Sequence, residues 1–321
     1  MASPRPESPE TETRFDAVVC VGPHKVHMAK LAIKSLQYYA RPRRIYLLAS
    51  SKFFPELQLL AHDGCPVILL DEDKFIEGVD LPGLERYFIQ RTGRPFGTGW
   101  YLQQFLKMGA ARIPDVAEHY LIWDSDTIML QSVEFFDAKG RVQVSPKDEH
   151  HHPYFELTEQ LLGFGRAVPF SFISEHFMVK TRYMLELLQA IESRAPAGKN
   201  WVYTILDQIT VENLKNSGFS EFETYGNFVQ TRYPESYFCR PLKSSRNGAT
   251  LFGMRPSKPD IYYLMKQGYC FISFERWNRK KGWKVLPSKI RSASVYAVER
   301  VLGKFSRRNR NALEVVAALC D

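Results

Sequence analysis

Two aspartates one residue apart, Asp124 and Asp126, interrupt an apolar run that extends from His119 to Leu130. Charge inside such a run is costly unless something compensates it. In an extended segment residues two apart point to the same side, so the two carboxylates are expected to stand together where the strand leaves its sheet. Like charges held that close raise one pKa unless a cation lies between them. A hard divalent ion, Mn2+ or Mg2+, prefers oxygen ligands, shares them with substrate phosphates and suits the pair. A polar turn at a strand end needs no ion, and spacing alone leaves both readings standing. The flanks favour the ion, because residues 120–123 and 128–130 read as a buried strand and its continuation, and open α/β sheets bind ligands at strand ends.

A second acidic segment, Ser220-Glu221-Phe222-Glu223-Thr224-Tyr225-Gly226-Asn227, sets two carboxylates at alternate positions before an aromatic, a glycine turn and an amide. Beside a metal-bound diphosphate, a carboxylate there suits a base that takes a proton from an incoming hydroxyl; alone, the segment reads as a helix-flanking turn with solvated glutamates. Gln103 and Lys107 lie four apart, on one face of an expected helix, with Lys107 a candidate for a diphosphate and also for a plain solvated lysine. The connection Thr92-Gly93-Arg94-Pro95-Phe96-Gly97-Thr98-Gly99 lacks the G-x-x-x-x-G-K-[ST] phosphate loop, so it is either a flexible approach to that helix or a substrate contact. Consecutive His150, His151 and His152 cannot all converge on one ion and read as a polar loop. His176 sits in an apolar segment, as a hydrogen-bonded core histidine or a site residue.

The elements that position these residues follow from hydrophobic periodicity. Strands are expected at residues 15–21, 44–49 and 66–70, alternating with helices at 26–40 and 54–62, which predicts βαβ units and a mostly parallel sheet. A helix at 100–112 then leads into the strand carrying Asp124 and Asp126. Further on, strands are expected at 141–145, 170–180 and 269–274, and helices at 155–163, 182–193, 200–215 and 292–305. Residues 147–153 read as a loop, and no internal repeat is present.

Together, Tyr120-Leu121-Ile122-Trp123-Asp124-Ser125-Asp126-Thr127, the preceding Gly99-Trp100-Tyr101-Leu102-Gln103-Gln104-Phe105-Leu106-Lys107 and the following Ser220 to Asn227 resemble the Asp-x-Asp nucleotide-sugar glycosyltransferases of GT-A fold, and in particular a poorly characterised, mostly bacterial group of them. The resemblance covers residues 15–238. It implies a Rossmann-like α/β domain that moves a hexosyl or pentosyl unit from a nucleotide sugar, a UDP-sugar ahead of a GDP-sugar, to a hydroxyl of a glycan or glycolipid, as in polysaccharide biosynthesis. It implies that Asp126, helped by Asp124, holds Mn2+ or Mg2+ and the donor diphosphate, that Asp124 or Ser125 approaches the ribose, and that residues 19–22, with Val21 and Gly22, contact the base. Glu221 or Glu223, the latter preferred, would face the acceptor, with His176 and Tyr225 as further acceptor contacts. Many such enzymes add a late histidine to the metal shell; no histidine follows His176 here, so the ion would rely on Asp126, phosphates and water.

Composition bounds the rest. With 45% hydrophobic and 13% aromatic residues in 321, the chain is globular. No window approaches the roughly 20 uninterrupted apolar residues of a membrane span. Residues 1–13 read as a flexible tail and not as a signal peptide. Five scattered cysteines without a C-x-x-C pair and no Asn-x-Ser/Thr sequon point to reduced thiols and the cytosol, or the cytosolic face of a membrane. Residues 276–310 hold twelve Lys/Arg against Glu299 alone, a local +11 in a chain of +8, which leaves the remainder at −3. Residues 14–275 are therefore expected to form the catalytic domain and 276–321 a basic helical appendage, suited to an anionic membrane surface or to packing on the core, with nucleic acid a less fitting partner. Two other readings remain: a metal-dependent phosphotransferase or nuclease, which wants further acids at defined spacings, and a non-catalytic nucleic-acid- or glycan-binding protein.

Overall fold

A computed structural model describes residues 15–23, 25–61, 65–278, 282–302 and 307–320; the expected tail and the basic residues Arg279, Lys280, Lys281 and Lys304 lie outside them. The chain opens with β1 (Asp16–Val21), α1 (Val26–Tyr39), β2 (Ile45–Ala49), α2 (Phe54–Leu57), β3 (Val67–Asp71), α3 (Leu81–Thr92), α4 (Thr98–Gly109) and β4 (His119–Trp123). There follow β5 (Thr127–Met129), β6 (Val142–Val144), α5 (His152–Leu162), β7 (His176–Lys180), α6 (Thr181–Glu192), α7 (Trp201–Gln208), α8 (Val211–Lys215) and α9 (Glu221–Arg232). The last part holds β8 (Tyr237–Cys239), β9 (Ser244–Ser245), α10 (Gly248–Phe252), α11 (Lys258–Lys266), β10 (Phe271–Ser273), α12 (Gly282–Leu302) and α13 (Arg307–Cys320).

The central sheet has the order β3-β2-β1-β4-β7, with β7 antiparallel and the other pairings parallel. This is the expected mixed α/β architecture, a mostly parallel sheet flanked by helices. β1, β2 and β4 are buried along their whole length, which is why each reads as a continuous apolar run rather than an alternating one. β5 leaves this sheet and pairs antiparallel with β10, whose other edge carries β9. A second apolar cluster forms there: Met28, Ile128 and Leu130 meet Phe252, Ile261, Tyr262, Leu264 and Val316, with Val295 and Tyr296 of α12 packed against them. The C-terminal helices are thus tied to the core through β5 and α1. No helix among the described residues is long and apolar enough to cross a membrane.

Several boundaries moved for physical reasons. The helix expected at 200–215 is two, because Thr210 turns its hydroxyl onto the Asn213 N–H and caps α8 afresh. α3 had no expected counterpart, although Asp80 caps it, Pro82 occupies its first turn and Gly93, at φ 79°, ends it. α12 begins ten residues before Ser292, with Pro287 inside it. The largest change is at 220–227. The Glu-Phe-Glu alternation imitates a strand, yet Ser220 accepts a hydrogen bond from the Glu223 N–H and opens α9. Gly226, expected in a turn, lies within that helix, and a Cβ there would fall 2.3 Å from the ring of Phe172.

Candidate active site

At the carboxyl end of β4 the chain does not continue as an extended strand. Thr127 N–H donates to the Asp124 carbonyl at 3.0 Å, and the Trp123 indole N–H donates to the Thr127 carbonyl at 2.8 Å, so residues 124–127 form a tight turn. The two carboxylates take different lysine partners. Asp124 Oδ1 accepts from Lys107 Nζ of α4 at 2.9 Å, whereas Asp126 Oδ2 lies 2.9 Å from Lys25 Nζ, just after β1. Asp126 is nearly enclosed and Asp124 partly open. Between them Ser125 is buried, and its hydroxyl has no hydrogen-bond partner among the described residues.

Lys107 is buried and also donates to Glu221 Oε1 at 2.9 Å, with the Phe222 ring 4.8 Å beneath it. Burial works against its charge, but Asp124 and Glu221 outweigh it and hold the ammonium's pKa above a free lysine's. At Lys25 burial likewise opposes the charge, and Asp126 with Asp124 raises the pKa all the same. The expected solvated or diphosphate-facing lysine is instead a clamp between β4 and the first residue of α9. The start of α9 is itself fixed by α4: the Tyr101 hydroxyl accepts from Gly218 N–H at 2.9 Å and donates to the Leu214 carbonyl at 3.2 Å.

Glu223 does not share a side with Glu221. Its carboxylate is buried against Ser171, the Phe172 N–H and the Asn227 amide, and burial raises its pKa although these bonds oppose the shift. This makes Glu223 an anchor of α9. Tyr225 is also interior, accepting from Lys180 N–H at 2.9 Å. His176 packs between Trp123, Phe135 and Phe271; burial, with Lys147 adding, pushes its pKa down to about 3, so it is a neutral core histidine. Gln103 is half-buried on α4, and its carbonyl faces the Cys20 thiol at 3.9 Å. Val21 is buried at the end of β1, while a Cβ on Gly22 would meet nothing within 4 Å.

Other groups near the turn had no part in the sequence reading. Phe274 N–H donates to the Asp126 carbonyl at 2.9 Å, which holds the end of β10 and hence Glu275 beside the acids. Burial pushes the Glu275 carboxyl up to about 7; Arg246 opposes this, and Asp126 and Asp124 add to it. Arg246 pairs with Glu275 and with Glu149, the latter at 3.1 Å. On the β7 side Asp124 N–H donates to the Glu175 carbonyl at 3.1 Å, and Glu175 Oε2 lies 3.7 Å from Lys147 Nζ. The other Glu175 oxygen is buried without a partner. Only tertiary contact brings Lys25, Glu175, Arg246 and Glu275 together, so no local pattern announces them.

These groups gather where the sheet order reverses, since β1 is followed outward by β2 and β3 on one side and by β4 on the other. In open α/β sheets the crevice at that switch point receives nucleotides and related ligands. The donor set of the turn suits a hard cation. Asp124 and Asp126 each give one oxygen to a lysine, and the second oxygen of each makes no hydrogen bond among the described residues. No third His, Cys, Asp or Glu completes a ligand group with them among those residues, so substrate oxygens and water would fill the remaining positions.

Fold and site together define an open α/β protein with an acidic, lysine-buttressed turn at its topological switch point. The chain belongs to a family of unknown function, DUF6492, whose sequence profile matches residues 12–250. No curated protein matches the sequence. Among solved structures it is similar to mouse xyloside xylosyltransferase 1 (TM-score 0.40, 13% identity, 73% of this chain and 87% of that one). It is also similar to the bifunctional glycosyltransferase WbbM (0.45, 14%, 85% and 48%) and to the glycosyltransferase GlyE of Streptococcus pneumoniae TIGR4 (0.39, 10%, 84% and 56%). The chain spans about half the length of those last two.

Proposed function

We propose that the protein is a metal-dependent glycosyltransferase that moves a sugar from a nucleotide donor to a hydroxyl of a glycan or glycolipid. The observation that carries this reading is the Asp124–Asp126 turn at the carboxyl end of β4, opposite the open glycine turn after β1. Gly22 lets a base or ribose approach the backbone, with Val21 behind it, while the partly open Asp124 borders the ribose side and the buried Ser125 lies behind that acid. Asp124 and Asp126 would hold Mn2+ or Mg2+, and the ion would neutralise the charge developing on the departing diphosphate. Lys25, with about a third of its side chain exposed, offers the same phosphates a direct cation. Lys107 acts from behind, holding Asp124 and α9 in place without touching the ligand.

Thermal-shift measurements with UDP- and GDP-sugars, with and without Mn2+, test this, because a bound donor stabilises the fold by mass action. A Mn2+-dependent rise in Tm is expected, and Asp126→Asn should abolish it. A donor shift unchanged in EDTA removes the metal from the reading. No shift with any sugar nucleotide removes the donor.

A further inference from the structure

Past Glu275 the surface changes character. Trp277 is 71% exposed, Leu286 54%, Ile290 58% and Val298 54%. On α12, Leu286 and Ile290 lie one turn apart, and exposed Ala293 and Ala297 continue that stripe. The inward face of the same helix is separate: Val285 and Ser292 are buried, and Val295 and Tyr296 join the second apolar cluster. Arg291 and Arg300 are exposed along the outer face, within the segment of twelve cations and one acid. An apolar helical stripe flanked by Arg291 and Arg300, in a cation-rich segment with exposed Trp277 nine residues before Leu286, is the composition of a helix lying in a lipid interface.

Charge selects among possible occupants. A symmetric pair of copies would set this cationic face against itself, and protein interfaces are depleted of lysine. A nucleic acid would satisfy the cations but not the apolar stripe. An anionic bilayer satisfies both, each basic residue near its surface contributing about 1 kcal/mol.

The exposed tryptophan is also joined to the site. The Arg246 guanidinium lies 5.8 Å from the centre of the Trp277 ring and pairs with Glu275, which the Phe274–Asp126 backbone bond holds beside the acidic turn. We propose that Trp277, Leu286 and Ile290, with the surrounding cations, seat the protein on an anionic lipid surface and hold the Asp124–Asp126 turn at headgroup level, so that the acceptor is a lipid-borne hydroxyl. The docking stands on this face alone; the acceptor assignment rests on the glycosyltransferase reading.

The test uses the full chain in co-sedimentation with vesicles of phosphatidylcholine alone and vesicles that also contain phosphatidylglycerol. Binding to the anionic vesicles is expected, weakened at least about tenfold by Trp277→Ser/Leu286→Ser/Ile290→Ser and again by Arg291→Glu/Arg300→Glu. Both variants should keep the wild-type Tm and the donor-induced thermal shift, which is measured without vesicles. Undiminished binding by the triple variant, or no binding by wild type, overturns the docking. Salt-displaceable binding to a short DNA duplex without vesicle binding overturns it in favour of nucleic acid. A vesicle-bound protein without any donor shift keeps the docking and removes the acceptor assignment.

Discussion

Helices α9 and α12 invert the usual amphipathic rule in opposite directions. α9 is buried from Glu221 through Val229 yet carries Glu221, Glu223 and Asn227 inside. α12 shows Leu286, Ile290 and Val298 to the outside. A buried polar group must be hydrogen-bonded, and α9 obeys within the chain: Glu221 meets Lys107, Glu223 meets Ser171, and Asn227 accepts from Ala167 N–H at 2.7 Å. An exposed apolar stripe asks for cover, and none of the described residues supplies it for α12. The polar helix therefore helps fix the Asp124 turn through Lys107, and under the proposal above the apolar one faces a lipid surface outside the chain.

The comparison breaks most severely at Lys107. Replacing it by Met leaves Asp124 and Glu221 facing an apolar side chain, and removing one member of a buried ion pair costs about 3–5 kcal/mol. Urea unfolding should show that loss. Adding Glu221→Gln should recover part of it, because the stranded buried carboxylate is then gone. If Lys107→Met is neutral, α9 is held by packing alone and its internal charges are incidental.

How much of this was legible in the sequence differs between the two helices and the sheet. β1, β2 and β4 are largely apolar and punctuated by Gly22-Pro23 and Arg41-Pro42, so the parallel order could be read directly, and Asp124 and Asp126 stood out as candidates at a strand end. The geometry of their turn could not, because it is closed by Trp123 and Thr127, and each acid pairs with a lysine from elsewhere in the chain. At α9 the period-two pattern of Glu221 and Glu223 was a false lead; the better signal was Ser220 followed three residues later by Glu223, the spacing of a capping box. Glu275 and Arg246 carry no local signature, since β10 returns from far along the chain to pair with β5.

A smaller effect sharpens the account of α9. Burial raises the Glu223 carboxyl above its ordinary 4.5, so the fold favours the protonated form. The resulting stabilisation is fully present below pH 4.5 and is lost as pH rises through the raised folded value. Compared with Glu223→Gln, which does not titrate, wild type should lose stability on going from acid to neutral pH, with a slope of at most about 1.4 kcal/mol per pH unit. Urea midpoints of both proteins across that range give the difference. A flat difference means that Ser171, Phe172 and Asn227 fully offset burial and keep Glu223 ionised.

The smallest effect is expected on α12, and it comes from two adjacent residues. Val285 is 6% exposed and Leu286 54%, so neighbours in sequence stand on opposite faces of one helix. Val285→Ala should cost roughly 2 kcal/mol in urea unfolding, through lost burial and the cavity left behind. Leu286→Gln should stay within about 0.5 kcal/mol, as surface changes usually do. The ratio matters more than either value, because it separates the face that builds the fold from the face that does not. If Leu286→Gln destabilises the isolated protein as much as Val285→Ala, the stripe is covered by the chain itself, and α12 becomes an ordinary core helix with nothing to offer a membrane.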